Sequence, residues 1–133
     1  TYFGYGPIES YPDKHHDAKL GLYTSDVDSL HEDYLRPQEN GSHWNCSGLA
    51  LTTSDHRSLL ISGTQNFSFN ASRYTQEELT TKAHSFELEK SPYTVLCLDG
   101  YMSGCGSNSC GPALAKKYRV DQDKLTFTFT LNF

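Results

Sequence analysis

The strongest constraint on the fold is a strict alternation at the end of the chain. Residues 125–133 read Leu-Thr-Phe-Thr-Phe-Thr-Leu-Asn-Phe, with an apolar side chain at every second position. Because successive side chains point to opposite faces of a strand, this pattern places the apolar groups on one face and the polar groups on the other. We therefore predict a strand at Leu125–Phe133, in an antiparallel sheet that buries one face.

Five other segments carry strand-like patterns and are separated by turn residues such as Gly63 and Pro92. These predicted strands are Cys46–Thr53, Leu59–Ser62, Asn66–Asn70, Ala83–Leu88 and Thr94–Tyr101. One short helix is predicted near 76–82, because the hydroxyl of Thr75 can accept a hydrogen bond from the amide of Glu78 while the Glu78 side chain returns the bond in a capping box. The predicted fold class is an all-β antiparallel β-sandwich with this one helix.

The first forty residues differ from the rest because they are rich in loop residues and show little alternation. The chain also begins at Thr1, without a methionine. We expect these loops to form an interface, or to pack on a sheet whose other strands lie outside residues 1–133. The sequence is therefore expected to be a single segment, residues 1–133, of a longer protein.

Composition excludes some partners and leaves the state of the cysteines open. Eleven Lys and Arg residues against sixteen Asp and Glu residues give a net charge of −5, which argues against binding of nucleic acid. No apolar run reaches the length of a membrane span, and no signal-peptide pattern is visible. The four cysteines permit two disulfides without requiring them, so we predict a reduced protein of the cytoplasm, with a Cys105–Cys110 bridge left open.

The sequence gives no pattern for a metal site. His43 and Cys46 form a His-x-x-Cys pair that Cys105 and Cys110 could complete, but the spacing matches no standard structural zinc site. We therefore predict no metal in this segment, and histidines that are solvated or hydrogen-bonded.

No catalytic residue is predicted either. Acid–base chemistry by two carboxyl groups needs a facing pair, and no pair stands out. A nucleophilic serine or cysteine needs a base, and no histidine follows Ser109 or Cys110 in the chain. The candidate acids are Glu9, Asp13, Glu32, Asp33, Glu39 and Asp99.

The run from Gly100 to Pro112 holds four glycines, three serines, an asparagine and two cysteines. Glycine and proline break helices, so this run predicts a long loop, and its small side chains would let a ligand approach the backbone. Aromatic rings in or beside loops can stack on sugars, although core packing is the alternative for each ring. These rings belong to Tyr2, Phe3, Tyr5, Tyr11, Trp44 and Tyr101.

Several motifs, in the same order and spacing, resemble the last, C-terminal domain of large bacterial β-galactosidases of glycoside hydrolase family 2. They are Tyr2-Phe-Gly-Tyr-Gly-Pro-Ile-Glu-Ser-Tyr-Pro-Asp13, Pro37-Gln-Glu-Asn-Gly41, Phe69-Asn-Ala-Ser-Arg-Tyr-Thr-Gln-Glu-Glu-Leu79, Leu98-Asp-Gly100 and Gly104–Pro112. The resemblance covers essentially the whole chain and roughly the second half of that domain. It implies a supersandwich fold like that of galactose mutarotase.

The resemblance also implies retaining hydrolysis of β-galactosides such as lactose, by two glutamates on a TIM-barrel domain with magnesium and sodium nearby. None of those residues lies in this segment, which alone is expected to be inactive. The terminal domain of the family lends a loop to the mouth of the active site. By the match of Ser109-Cys-Gly-Pro112 to that loop, the resemblance implies that Asn108, Ser109 and Cys110 line the rim, with Cys110 where the best-known members have a tryptophan.

The implied partners are the β-galactoside, the remainder of the β-galactosidase chain and further copies of that parent in a homo-oligomer. Three alternatives stay open from the sequence. One is a free-standing carbohydrate-binding module, one a small subunit that joins a separately encoded barrel chain, and one a mutarotase-like enzyme. The last would need a histidine–carboxylate pair in a pocket.

Overall fold

The computed structural model describes residues 1–105 and 113–133, which form two antiparallel sheets that pack face to face, with one short α-helix. The five-stranded sheet has the order β2-β1-β4-β5-β8, and the three-stranded sheet has the order β3-β6-β7. The strands are β1 (Tyr2–Gly6), β2 (Lys19–Tyr23), β3 (His43–Cys46), β4 (Gly48–Thr52), β5 (Ser58–Gly63), β6 (Phe67–Ser72), β7 (Val95–Asp99) and β8 (Phe129–Asn132). The predicted all-β sandwich is confirmed, while its likeness to galactose mutarotase stays a prediction.

The core lies between the two sheets and follows from the alternation of apolar residues along the strands. Leu49 of β4 pairs with Ile61 of β5, and both side chains are buried. Phe67 and Phe69 of β6 approach them from the three-stranded sheet, within the same buried cluster. Burial of one such side chain contributes about 1.5–3 kcal/mol, so this cluster is the main source of stability.

The outward side of β6 is also buried, because loops of the first forty residues lie against it. Asn70 points away from Phe69 and is 5% exposed. Its amide group donates a hydrogen bond to the carbonyl oxygen of Asn40. The irregular residues before β3 therefore cover the three-stranded sheet on its second face.

Helix α1 (Gln76–Thr81) forms where it was predicted, and the N-cap half of the capping box is confirmed. The amide of Glu78 donates to Oγ1 of Thr75 at 3.1 Å. The predicted return bond is wrong, because Oε1 of Glu78 accepts instead from the amide of Glu89 at 2.8 Å and lies 3.5 Å from Nζ of Lys82. Glu78 thus ties the helix to the chain that follows it.

The strand predicted at Ala83–Leu88 is wrong. The chain makes a 3-10 turn at Ser85–Glu87. Oε2 of Glu87 accepts hydrogen bonds from the amides of Ala83 and His84, at 3.0 and 2.9 Å. A side chain that satisfies nearby amides removes their need for a strand partner.

The prediction of irregular backbone at the start of the chain is also wrong in part, because β1 and β2 form there. Tyr2 pairs with Tyr23 and Gly4 pairs with Gly21. Gly4 and Gly6 occupy inward positions of β1, where an added Cβ would overlap the thiol of Cys46 or the hydroxyl of Tyr2. Because glycine occupies these inward positions, the sequence does not show the alternation of apolar and polar residues that would have indicated a strand.

Two predicted strands differ most from the observed strands, whereas the limits of the other three that form shift by one or two residues. The segment Cys46–Thr53 is divided at Ser47, because the chain passes from the three-stranded to the five-stranded sheet after Asn45 takes a φ of 57°. The segment Leu125–Phe133 contributes only Phe129–Asn132 to the ladder with β5. Within residues 1–105 and 113–133, no helix is both long and apolar enough to cross a bilayer.

Candidate functional site

The three residues predicted at a sugar-binding rim, Asn108, Ser109 and Cys110, lie outside the described residues. The structure describes the chain on both sides of them, and these flanks define the candidate site. The incoming flank is Gly100–Cys105, which follows β7, and the outgoing flank begins at Ala113.

Backbone and side-chain hydrogen bonds hold the incoming flank in place. The amide of Gly104 donates to the carbonyl oxygen of Tyr118 at 3.2 Å, and the amide of Val120 donates to Oγ of Ser103 at 3.1 Å. The amide of Cys105 donates to Oδ1 of Asp13 at 2.9 Å. The flank is therefore fixed between the segment around residue 118 and a turn near the start of the chain.

That turn contains the motif Glu-Ser-Tyr-Pro-Asp and is held by its own backbone. The amide of Tyr11 donates to the carbonyl oxygen of Lys14 at 2.8 Å, and the amide of Lys14 donates back at 3.0 Å. Ser10 is fully buried, and its Oγ accepts from the amide of Trp44 at 2.9 Å. We call residues 9–14 the acidic turn, since Glu9 and Asp13 are its two carboxylates.

Glu9 fastens the acidic turn to the rest of the molecule, although it is only 7% exposed. Its carboxylate accepts hydrogen bonds from Nζ of Lys14, from the hydroxyl of Tyr34, and from the amide of Gly41 at 2.9 Å. Burial alone would raise the pKa of Glu9, but these donors outweigh burial and the pKa is lowered. Glu9 is therefore ionised and binds three separate parts of the structure. From the sequence it was only one of six candidate acids.

A cleft of about 320 Å³ opens beside the incoming flank. Glu39 and Asp99 both line it. Partial burial raises the pKa of each carboxyl group, and the charge of Asp99 raises the pKa of Glu39 further. Carboxyl groups of this kind can hydrogen-bond the hydroxyl groups of a ligand. The remaining lining residues are Tyr11, Tyr101, Met102, Ser103, Gly104 and Cys105.

Glu32 and Asp33, the other candidate acids, are exposed. They line a separate cleft of about 320 Å³ with Lys14 and Tyr34. The structure thus places Glu39 and Asp99 in one cleft and Glu32 and Asp33 in another.

Burial divides the six aromatic rings considered for stacking on sugars. Tyr2 and Tyr11 are buried, and the Tyr2 ring lies 4.4 Å from that of His43 and 5.1 Å from that of Phe69 in the core. Phe3 and Tyr101 are 44% and 41% exposed. Core packing therefore accounts for Tyr2, whereas Tyr11 is buried in the acidic turn and lines the cleft beside the incoming flank.

Tyr5 and Trp44 belong to a cluster of rings beside the acidic turn. Their centroids are 5.1 Å apart, and the ring of His15 lies 4.4 Å from that of Trp44. Both aromatic residues are partly buried. Of the six rings, Tyr101 is the exposed one that lines the cleft beside the incoming flank.

The pair considered for zinc is buried and has other partners. Nδ1 of His43 lies 3.2 Å from the carbonyl oxygen of Tyr5, and the Cys46 thiol donates to the carbonyl oxygen of His43 at 3.4 Å. Burial lowers the pKa of His43 to about 4 and raises the pKa of Cys46 to about 12. Among the described residues, no three His, Cys, Asp or Glu side chains converge on a point where a metal could bind, and Cys105 is a free thiol.

Comparison with known proteins gives one consistent result. The family model described as beta galactosidase small chain matches residues 1–131. A β-galactosidase of Actinobacillus pleuropneumoniae is 52% identical over 132 residues, which cover 99% of this chain and 13% of that protein. Those of Staphylococcus xylosus and Kluyveromyces lactis are each 36% identical, again over 99% of this chain and 13% of the relative. The chain thus spans about 13% of the length of these curated relatives.

Proposed function

The chain belongs to the beta galactosidase small chain family, and from this membership we propose that it is the C-terminal part of a cytoplasmic β-galactosidase of glycoside hydrolase family 2. The parent enzyme would hydrolyse terminal β-D-galactosides such as lactose with retention of configuration. The observation that carries the proposal is the family match over residues 1–131, together with relatives that are named β-galactosidase and extend far beyond this segment.

Within that enzyme, the proposed role of the segment is to complete the rim of the active site. Asn108, Ser109 and Cys110 would contact the β-galactoside, through an amide, a hydroxyl and a thiol. The fixed incoming flank supports this role, because Gly104 and Cys105 are each held by a hydrogen bond just before these residues. A binding segment whose base is already held in place loses less conformational entropy when it binds a ligand.

The catalytic glutamates, and the magnesium and sodium ions, are proposed to lie elsewhere in the parent enzyme. Among the described residues, no three His, Cys, Asp or Glu side chains converge on one point, so this part of the chain offers no ligand set to which we would assign these ions. We propose no catalytic role for the acidic residues of the segment, which alone would be inactive.

The remainder of the parent chain is the proposed partner of an apolar cleft of the sandwich. This cleft of about 610 Å³ is lined by Leu51 and Leu59 of the five-stranded sheet and by Thr94 just before β7. Leu51 and Leu59 pack against the core but stay partly exposed. Further copies of the parent, in a homo-oligomer, are proposed as additional partners.

A free-standing carbohydrate-binding module is the second candidate function, and the cleft beside Tyr101 favours it. Two carboxyl groups and an exposed aromatic ring are a suitable set for sugar hydroxyl groups and C–H faces. A mutarotase-like function has less support. Among the described residues, the histidine–carboxylate pair within 4.0 Å is His84–Glu87, which lies exposed on the 3-10 turn with its atoms 3.4 Å apart.

The rim role predicts the effect of Cys110→Trp in the full-length enzyme. An indole offers much more contact area than a thiol to the glucose side of lactose, and aromatic contacts contribute about 1 kcal/mol. We expect KM for lactose to fall about fivefold, as measured by steady-state kinetics. Tyr93→Trp, at a ring that is 77% exposed, is the matched control and should leave KM unchanged. An equal KM in wild type and Cys110→Trp would count against the rim role.

A further inference from the structure

Asp13 is the second carboxylate of the acidic turn, and its surroundings differ from those of Glu9. It lies at the tip of the turn, between the residues whose backbones bond to each other, Tyr11 and Lys14. Its Oδ1 atom accepts the amide hydrogen of Cys105 at 2.9 Å, across 92 positions of sequence. The carboxylate therefore joins the acidic turn to the incoming flank.

Gly104 shows how closely the turn and the flank approach each other. A Cβ at residue 104 would overlap the carboxylate of Asp13, at its Cγ and both oxygens. Glycine is thus required by contact with Asp13 rather than by an unusual φ. Because Gly104 has no side chain, the Asp13 carboxylate packs directly against the main chain there. From this position it accepts the amide hydrogen of Cys105.

Hydrogen bonds to the rest of the molecule hold the acidic turn in place, so the position of Asp13 is fixed as well. Glu9 binds the amide of Gly41 and the side chains of Lys14 and Tyr34. The amide of Ser10 donates to the carbonyl oxygen of Ser42 at 2.7 Å. These contacts connect the turn to the segment that leads into β3, which is paired with β6 in the middle of the three-stranded sheet.

We propose that Asp13 is a positioning residue, which holds the backbone of the incoming flank at Gly104 and Cys105 and thereby sets the affinity of the proposed rim for the aglycone part of a β-galactoside. This inference rests on the proposed function, since it assigns a residue to the control of the same rim. Asp13 would not touch the sugar. It acts through the Cys105 amide, while the Gly104–Tyr118 and Ser103–Val120 bonds hold the other side of the flank.

The first test measures the flank without any substrate, by hydrogen–deuterium exchange of the Cys105 amide in the full-length protein. Asp13→Ala removes the acceptor, and exchange is expected to speed up about tenfold, which corresponds to about 1.4 kcal/mol. Asp13→Asn keeps an oxygen in the same place and should restore most of the protection. Exchange in Asp13→Ala at the wild-type rate would overturn the proposal, whatever the enzyme does.

The second test measures kinetics of the same variants with lactose. KM is expected to rise several-fold in Asp13→Ala while kcat stays close to wild type, and Asp13→Asn should recover most of the loss. A merely structural role would lower the amount of active enzyme without this split between KM and kcat. An unchanged KM in a variant with faster exchange would also overturn the proposal.

Two further variants keep the tests decisive. Gly104→Ala displaces the carboxylate from the other side and should reproduce both effects, even if Asp13→Ala folds poorly. Asp17→Ala removes an exposed carboxylate just beyond the acidic turn and should behave as wild type in both assays. If the wild-type protein hydrolyses no β-galactoside, the proposed function fails, and the exchange experiment still decides whether Asp13 holds the flank.

Discussion

Phe69→Ala is expected to lower the free energy of unfolding by about 3–5 kcal/mol. Phe69 is 1% exposed and lies in the central strand of the three-stranded sheet, with ring contacts to Tyr2 at 5.1 Å and to His43 at 5.2 Å. Truncation removes buried apolar area and leaves a cavity that strands fixed on both sides cannot close. Thermal unfolding of the full-length protein, together with its yield of folded protein, measures the effect.

Phe86→Ala is the matched control, because this phenylalanine is 84% exposed on the 3-10 turn. A surface substitution of this kind is expected to change stability by less than about 0.5 kcal/mol. Equal losses in the two variants would contradict the placement of the core between the two sheets.

The second large effect is expected for Glu9→Gln, which should destabilise the protein by about 2 kcal/mol at neutral pH. The amide keeps one acceptor oxygen but loses the charge that Lys14 and Tyr34 bind, in a place that water hardly reaches. The loss is smaller than for a fully buried ion pair, because the Lys14 side chain is 51% exposed and regains water. Glu32→Gln, at an exposed carboxylate nearby, should leave stability within about 0.5 kcal/mol of wild type.

The pH dependence of stability separates this electrostatic role from simple packing. The pKa of Glu9 is lowered below its ordinary value of 4.5 in the folded protein. Its contribution is therefore complete above pH 4.5 and is lost as the pH falls through the lowered folded pKa. Unfolding curves of wild type and Glu9→Gln should thus differ at pH 7 and converge toward acid pH. A difference that stays constant across this range would show that the charge of Glu9 is not what stabilises the turn.

The sandwich could be predicted from the sequence because a half-buried strand shows alternating apolar and polar residues. This pattern can be read from neighbouring residues alone. Phe67, Phe69 and Ala71 of β6 recur at a period of two, and all three are in the core. The same reasoning missed β1, since Gly4 and Gly6 fill the inward positions that would carry apolar side chains. A glycine that is required because a larger side chain packs against it resembles a loop glycine as long as that contact is not known.

The strand predicted at residues 83–88 failed for a related reason. Glu87 resembles a polar residue on the wet face of a strand, but its carboxylate binds the amides of Ala83 and His84. Local hydrogen bonds of this kind compete with a ladder, and composition alone does not say which arrangement is lower in free energy.

The candidate site was predicted less completely than the fold, because its order comes from contacts between distant residues. Asp13 and Cys105 are separated by 92 positions in the sequence, and no local sequence pattern predicts their contact. The signal in the sequence was the close spacing of Glu9, Tyr11 and Asp13 around Pro12, since buried acids need several donors. The predicted rim residues Asn108, Ser109 and Cys110 stay a prediction.

Residues 1–133 are proposed to form part of a β-galactosidase rather than an independent module. The most direct measurement is the mass of the native chain in its source cells, detected with an antibody against this segment, together with the galactosidase activity of the purified species. We expect a single chain several times heavier than 15.0 kDa that hydrolyses lactose, because this segment matches only 13% of the length of its relatives. A 15.0 kDa species on its own, without activity, would contradict it and favour the carbohydrate-binding module.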